Sequence, residues 1–197
     1  MMGLQGRGRY RWSGSWNGYG SPYFREKNSR CSGRRTRQQS NRRGAPKMPT
    51  VTTSHTSGAS PEEVWEALLD SESYAGYMDE VREIKVISWE GDRRVSRWSV
   101  LLKGSELEWE EEESIDTARK RIDFHQTEGD LAYFTGYWQV TAVPEGTNAQ
   151  LHVEFDIGIP MMSDMLNPVA ARALEDNSQA ILRRLGTRAR DASEVGK

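Results

Sequence analysis

Between residues 81 and 157 the chain runs through six short β-rich segments, separated by connections of three to six residues, and its one long amphipathic stretch comes only afterwards. Glu90-Gly91-Asp92, Glu128-Gly129-Asp130 and Pro144-Glu145-Gly146 are too short to carry a crossover, so consecutive strands must pair antiparallel as a meander. A single long helix after such a meander has to bury its apolar stripe against that sheet. The order of segments therefore predicts an α+β fold, a curved antiparallel β-sheet of about six to seven strands around a long C-terminal helix, with two short helices after the first strand.

Local signals place the elements. Residues 50–57 alternate β-branched and polar side chains, as an edge strand does. Ser60-Pro61-Glu62-Glu63 supplies a cap, a proline and an acidic first turn for a short helix that buries Val64, Trp65, Leu68 and Leu69. Residues 71–78 then read as a second short helix or turn carrying Tyr74 and Tyr77. The meander strands are expected at 81–89, 94–103, 107–115, 119–126, 132–143 and 150–157. For the long helix, Asn167 is expected as the cap and Pro168 at the first helical position. Its inward stripe would be Val169, Ala170, Ala173, Leu174, Asn177, Ile181 and Leu185. Asn177 is then either a core amide bonded to nearby backbone or a polar group aimed into a ligand cavity.

Charge divides the chain near Met48. Residues 1–48 hold 12 of the 27 Lys and Arg but a single acidic residue, Glu26, whereas the remainder carries 28 acidic against 15 basic residues. Residues 1–48 have no helical or strand periodicity and are expected to be a disordered basic arm, with 49–190 as the folded domain and 191–197 as a disordered tail. An acidic globule is not expected to bind nucleic acid. Cys31 is the only cysteine, and His55, His125 and His152 lack metal-ligand spacing, so neither a disulfide nor a metal site is expected. Without a membrane-length apolar run, the expectation is a soluble, cytoplasmic protein with no membrane span.

Strand alternation assigns the faces. Trp98, Val100 and Leu102 form one apolar row, Phe134, Gly136, Trp138 and Val140 another, and Leu151, Val153, Phe155 and Ile157 a third. Gly136 implies either a strong bend or room for something to sit there. Leu107 and Trp109 set the phase of the segment between. The plainer expectation is that this strand leaves the core after Trp109 and that its carboxylates are solvated. The alternative keeps the phase, which turns Glu111 and Glu113 inward, where burial would raise a carboxyl pKa and a cation such as Arg94 could offset the shift. Such a group would be an acid/base candidate. His125 and His152 fall on the opposite, outward phase.

The sequence of a strand, Ala-Ser-Pro-Glu-Glu-Val-Trp, short helices, a meander containing Gly-Asp-Leu-Ala-Tyr-Phe-Thr-Gly-Tyr-Trp and a long terminal helix resembles the START-like, or Bet v 1-like, superfamily, in its branch of polyketide cyclases and coenzyme Q-binding proteins. The resemblance implies a helix-grip fold enclosing a deep, mainly apolar cavity, with no cofactor. In the aromatase/cyclase members a Trp followed at alternate positions by Ser and Arg lines the cavity, with a Tyr after the second helix and an Asn on the terminal helix. Here the Trp falls on Trp109 and the Asn on Asn177, but Glu111 and Glu113 stand at the Ser and Arg positions, and the Tyr position lies near Val81.

What the resemblance implies for function is a cyclase that folds a polycarbonyl chain in an apolar cavity and promotes ring closure, its substrate a hydrophobic or polyketide molecule delivered by an acyl carrier protein. Glu111 or Glu113 would take a proton between two carbonyls and Asn177 would hydrogen-bond a carbonyl or enolate oxygen. Trp98, Trp109, Phe134, Trp138, Phe155 and Ile181 would shape the pocket. A non-catalytic carrier of a lipid or quinone needs the same cavity and only one polar anchor, and a ribosome-associated binding module of the toxin type is a third reading.

Overall fold

The computed structural model describes residues 48–195. The expected arm, apart from Met48, and residues 196–197 lie outside the described residues. The elements appear in the expected order: β1 (Thr50–Ser57), α1 (Pro61–Leu69), a 3-10 helix (Ser71–Gly76), β2 (Val81–Glu90), β3 (Arg93–Leu102), β4 (Ser105–Asp116), β5 (Arg121–Gly129), β6 (Tyr133–Val143), β7 (Gly146–Asp156), a 3-10 turn (Pro160–Met162) and α2 (Ser163–Val195). All neighbouring strands are antiparallel in one seven-stranded sheet ordered β1-β7-β6-β5-β4-β3-β2.

Local chemistry fixes the entry to this arrangement. Ser60 and Glu63 form the reciprocal capping box: the Glu63 amide donates to the Ser60 hydroxyl, and the Ser60 amide donates to the Glu63 carboxylate at 2.7 Å. At its other end α1 has no basic residue of its own in the last turn, and two carbonyls that the helix leaves free are taken from outside. Tyr74 donates its hydroxyl to Leu68 O at 2.9 Å, and Arg94 donates Nη1 to Leu69 O at 2.7 Å. The helix end is thereby tied to the sheet.

The last helix differs from expectation at both ends. It starts at Ser163, a turn before Asn167, so Asn167 is not its cap and Pro168 lies inside it. Pro168 lacks only the amide that would bond the Asp164 carbonyl, and Asp164 is exposed, so water can satisfy that oxygen. The helix also continues to Val195, through residues 191–195 where a tail is expected. Its inward stripe is rotated from the expected one. Val169 is 67% exposed, while Ala173, Leu174, Ser178, Ile181, Leu182, Leu185 and Ala189 are buried. A long helix keeps one face against a curved sheet by drifting in phase, and the stripe drifts with it.

Smaller shifts have equally local causes. Strand β5 begins at Arg121 because Lys120 adopts a positive φ of 51° in the preceding turn. Strand β7 begins at Gly146 because its first residues pair with the end of β1, Thr147 opposite Ser57. The register of β2 against β3 slips twice, between Val81 and Glu83 and between Val86 and Ser88. On the two border strands, Glu72 accepts from the Val86 amide of β2 at 2.9 Å, and Gln179 donates to Ser54 O of β1 at 3.3 Å.

Gly136 resolves in favour of the bend. A Cβ there would lie 2.0 Å from His152 O and 2.8 Å from the tip of the Phe124 ring, so the space beside it is already filled by neighbouring strands. The Phe124 ring packs into the hollow and reaches Phe134 at 5.6 Å between centroids. Gly136→Ala should therefore destabilise the chain by about 1–3 kcal/mol, the usual cost of overpacking, because backbone rather than a flexible side chain must move. Chemical denaturation of both proteins measures this; an unchanged midpoint would contradict the close approach of β6 and β7.

Candidate functional site

The concave face of the sheet and α2 border a hollow with about 680 Å³ of atom-free space, open solvent at its mouth included. Trp98, Trp109, Phe134 and Trp138 line it from the sheet, and Leu174 and Ile181 from α2. Five of the six predicted pocket residues are thus on the wall, with the sixth, Phe155, fully buried in the core and absent from the lining. Phe124, Leu131 and Ser178 are lining residues that the sequence reading missed.

The aromatic wall is a connected set. Trp98 and Trp109 lie opposite each other on β3 and β4 and stack, centroids 5.6 Å apart and planes 11° from parallel. Phe134 meets Trp109 edge-on at 5.4 Å, and Tyr74 meets Trp98 edge-on at 6.3 Å. Such pairs contribute about 0.5–1.5 kcal/mol beyond the area they bury. Trp109 has room because Gly129 faces it: at φ 154° its backbone passes so close that a Cβ would lie 2.5 Å from the Trp109 Cβ. Both indoles are also tethered along their strands. Trp98 donates Nε1 to Ser96 Oγ at 2.9 Å, and Trp109 donates Nε1 to Glu111 Oε2 at 2.7 Å.

The strand does not leave the core after Trp109. Glu111 and Glu113 are 2% and 1% exposed, so the plainer expectation of solvated carboxylates is overturned. The reason is Arg94, itself 1% exposed, which sits opposite Glu113 on β3. Its Nε and Nη2 grip both Glu113 oxygens, the second at 2.9 Å, while Nη1 holds the end of α1. A buried carboxylate can stay in the strand's phase when its charge is matched in this bidentate way. Glu113 is therefore occupied, and it does not line the cavity.

Glu111 is placed differently. It is on the cavity wall, with the Trp109 indole as its hydrogen-bond donor and with no cation of its own. Burial pushes its carboxyl well above the ordinary range, and the neighbouring Glu113 charge adds to the rise; the Trp109 hydrogen bond and the more distant Arg94 only partly oppose it. The shift favours the protonated, neutral form of this side chain. Asn177 is half-buried and also borders the cavity, one turn before Ile181. The structure thus brings Glu111, Asn177 and five of the aromatic and aliphatic candidates together, and leaves Glu113 and Phe155 behind the wall.

The sheet pairing beside Glu111 is irregular. Glu110 pairs with Glu128 but Glu111 pairs with Gln126, which leaves Thr127 as an extra residue on β5. A bulge of this kind re-aims the side chains next to it. It lets Gln126 share the cavity face with Glu111. Sequence alternation held the signal for Gln126, two positions beyond the inward Phe124. Among the described residues there is no group of three or more His, Cys, Asp or Glu placed to hold a metal ion, and no helix long and apolar enough to cross a membrane.

An antiparallel sheet wrapped around a helix, with an apolar cavity and a few inward polar groups between them, defines a helix-grip ligand-binding protein. The chain belongs to the family described as polyketide cyclase / dehydrase and lipid transport, whose model matches residues 57–182. Among solved structures it is similar to TTHA0849 from Thermus thermophilus, at 30% identity and a TM-score of 0.69, over 74% of this chain and 99% of that one. It shares its fold with the Zhui aromatase/cyclase from Streptomyces sp. R1128, at 21% identity and a TM-score of 0.68, over 75% and 96% of the two chains. It shares it also with a START superfamily protein from Mycobacterium smegmatis, at 19% identity and a TM-score of 0.59, over 70% and 97%. A search of curated proteins gave no match.

The raised Glu111 pKa has a thermodynamic sign. The folded chain holds a proton that the unfolded chain releases near the ordinary value of 4.5, so this contribution to stability is complete below that pH and is lost as pH rises toward the folded pKa. Glu111→Gln keeps the size and the acceptor for Trp109 but cannot ionise. Urea unfolding from about pH 5 to about pH 8 should show the variant gaining on the unaltered chain as pH rises. Parallel curves would show that Glu111 is not a neutral buried acid.

Proposed function

We propose that the chain is a cofactor-independent cyclase for polycarbonyl substrates of the polyketide type, in which Glu111 acts as the acid. What supports this is a single observation: a buried carboxyl on the wall of an apolar cavity, held by Trp109 and without a cation of its own, so that burial raises its pKa. The aromatic walls fold the flexible chain so that an enol carbon lies against a carbonyl carbon, which removes much of the entropic barrier to ring closure. As the carbon–carbon bond forms, the carbonyl π pair moves onto oxygen and takes the Glu111 proton. The enol oxygen becomes the new carbonyl and gives up its proton, which restores the Glu111 carboxyl, so the step is neutral overall. Asn177 offers an amide donor to the oxygen on which charge develops. In this reading the carboxyl serves as a general acid rather than a general base, because burial favours its protonated form.

Glu113 has another part in this reading. Paired with Arg94, it keeps one negative charge beside Glu111 and fixes the strand, which makes it a positioning residue. With a pantetheine thioester of a poly-β-ketone as substrate, Glu111→Gln should slow single-turnover ring closure by roughly 10²–10⁴-fold, while equilibrium binding changes little. Asn177→Ala should reduce the rate as well. Glu113→Gln should instead act first on stability, by about 3–5 kcal/mol, because it strands the Arg94 charge in the core. If Glu111→Gln closes rings at the unaltered rate, the acid mechanism is wrong; ring closure by the unaltered chain no faster than without protein, together with tight retention of the uncyclised ligand, would favour a carrier.

A further inference from the structure

Gln126 has a feature that the acid mechanism does not use. Its Nε2 donates to Leu131 O at 2.7 Å, and since a carbonyl can only accept, that bond fixes which end of the amide is which. The other end, Oε1, is buried and has no hydrogen-bond partner among the described residues. A buried acceptor left unpaired is costly, and in a cavity-lining side chain a bound molecule is one partner that would relieve that cost. Gln126 lines the cavity beside Glu111, its direct partner across β4 and β5, and paired positions put their Cβ atoms about 4.5–5.5 Å apart. Two neighbouring side chains therefore offer opposite chemistry to one bound molecule.

We propose that Gln126 is a specificity-determining residue: its Oε1 accepts a hydrogen bond from an enolic or phenolic hydroxyl of the ligand while the Glu111 carboxyl engages a carbonyl oxygen a few ångströms away, so that the cavity selects hydroxy-ketones in the enol or phenol form. This rests on the cyclase reading for the role of Glu111 and extends it to the choice of tautomer. A keto oxygen gives Gln126 nothing, because two acceptors cannot bond. An enol hydroxyl does, and the enol is the tautomer whose carbon is nucleophilic. Opposite Glu111 stand Ser96 on β3, whose hydroxyl accepts from the Trp98 indole, and Gln126 on β5, while Trp109 on its own strand donates to it and Arg94 is taken by Glu113. Of the two cross-strand partners, Gln126 is the one whose acceptor has no hydrogen bond among the described residues.

Stable phenols stand in for the enol. Three probes of one skeleton, 1-tetralone, 7-hydroxy-1-tetralone and 7-methoxy-1-tetralone, separate the carbonyl from the hydroxyl contribution. Binding to the full chain is followed by quenching of the indoles that line the cavity. The hydroxyl compound should bind about five- to tenfold more tightly than the methoxy compound, the worth of one buried hydrogen bond, and Gln126→Leu should bring that ratio to about one, with 1-tetralone as the measure of any general loss. Because Gln126 also holds Leu131, Gln126→Met is measured beside it, and the hydroxyl-to-methoxy ratio is read in all three proteins. Equal binding of the two substituted compounds, or a preference that survives replacement of Gln126, would overturn the assignment and leave the Glu111 mechanism standing. If none of the three binds, the ketone-binding cavity falls with it.

Discussion

One buried guanidinium sits among two buried carboxylates, and most of the molecule's interior follows from that imbalance. Arg94 can saturate Glu113 from two sides and still reach the end of α1, but it has no further fork for Glu111. The surplus carboxyl is then pushed toward its neutral form or carried outward, and the strand's phase prevents the second course. A carboxyl with a raised pKa on the wall of an apolar cavity is the result. The same guanidinium joins β3, β4 and α1, so the charge that organises the site also organises the fold around it. Removing a partner from such a pair costs more than the pair itself contributes, because the remaining charge is stranded.

Sheet curvature then decides what the acid faces. Gly136 lets β6 and β7 close over the Phe124 ring, and Gly129 lets β5 pass close beneath Trp109. The extra residue at Thr127 restores pairing beyond the bend and turns Gln126 toward the cavity. Each of these places the backbone where side chains would normally stand, which leaves the hollow between sheet and helix to be walled largely by aromatic rings. Aromatic walls of this kind are rigid for their size, and a rigid wall fixes the conformation of a flexible guest.

The meander, the capping box and the aromatic rows are legible in the sequence because each rests on contacts within or between adjacent segments. Strands flanked by Gly-containing turns reveal their partners, and Ser60 with Glu63 reveals a helix start. The inward placement of Glu111 and Glu113 is legible only as an alternative, since it depends on Arg94 lying directly opposite Glu113 across a strand pair. Composition alone makes a run of glutamates look solvated. The start of α2 misleads for a related reason. Asn167-Pro168 has the local signature of a cap, but the chain can tolerate Pro168 inside the helix because the carbonyl it leaves free is at the surface. Gln126 escapes notice although alternation from Phe124 points to it, for a glutamine in an apolar phase invites no reading until its bond to Leu131 is known. Phe155 shows the converse: facing inward identifies a core residue, and only the three-dimensional outline separates core from wall.

An open sheet of seven strands has two borders, and unpaired strand borders are where separate copies of a protein join into fibrils. Here both borders are partly spoken for by side chains of the same molecule. The carboxylate of Glu72 occupies an amide on β2, the amide of Gln179 occupies a carbonyl on β1, and the two slips in register keep β2 from presenting an even row of donors and acceptors. A neighbouring copy approaching either border would have to displace a bond already made and match an uneven spacing. The grip that forms the cavity thus also guards the protein against stacking on itself, a form of colloidal protection that costs no additional residues.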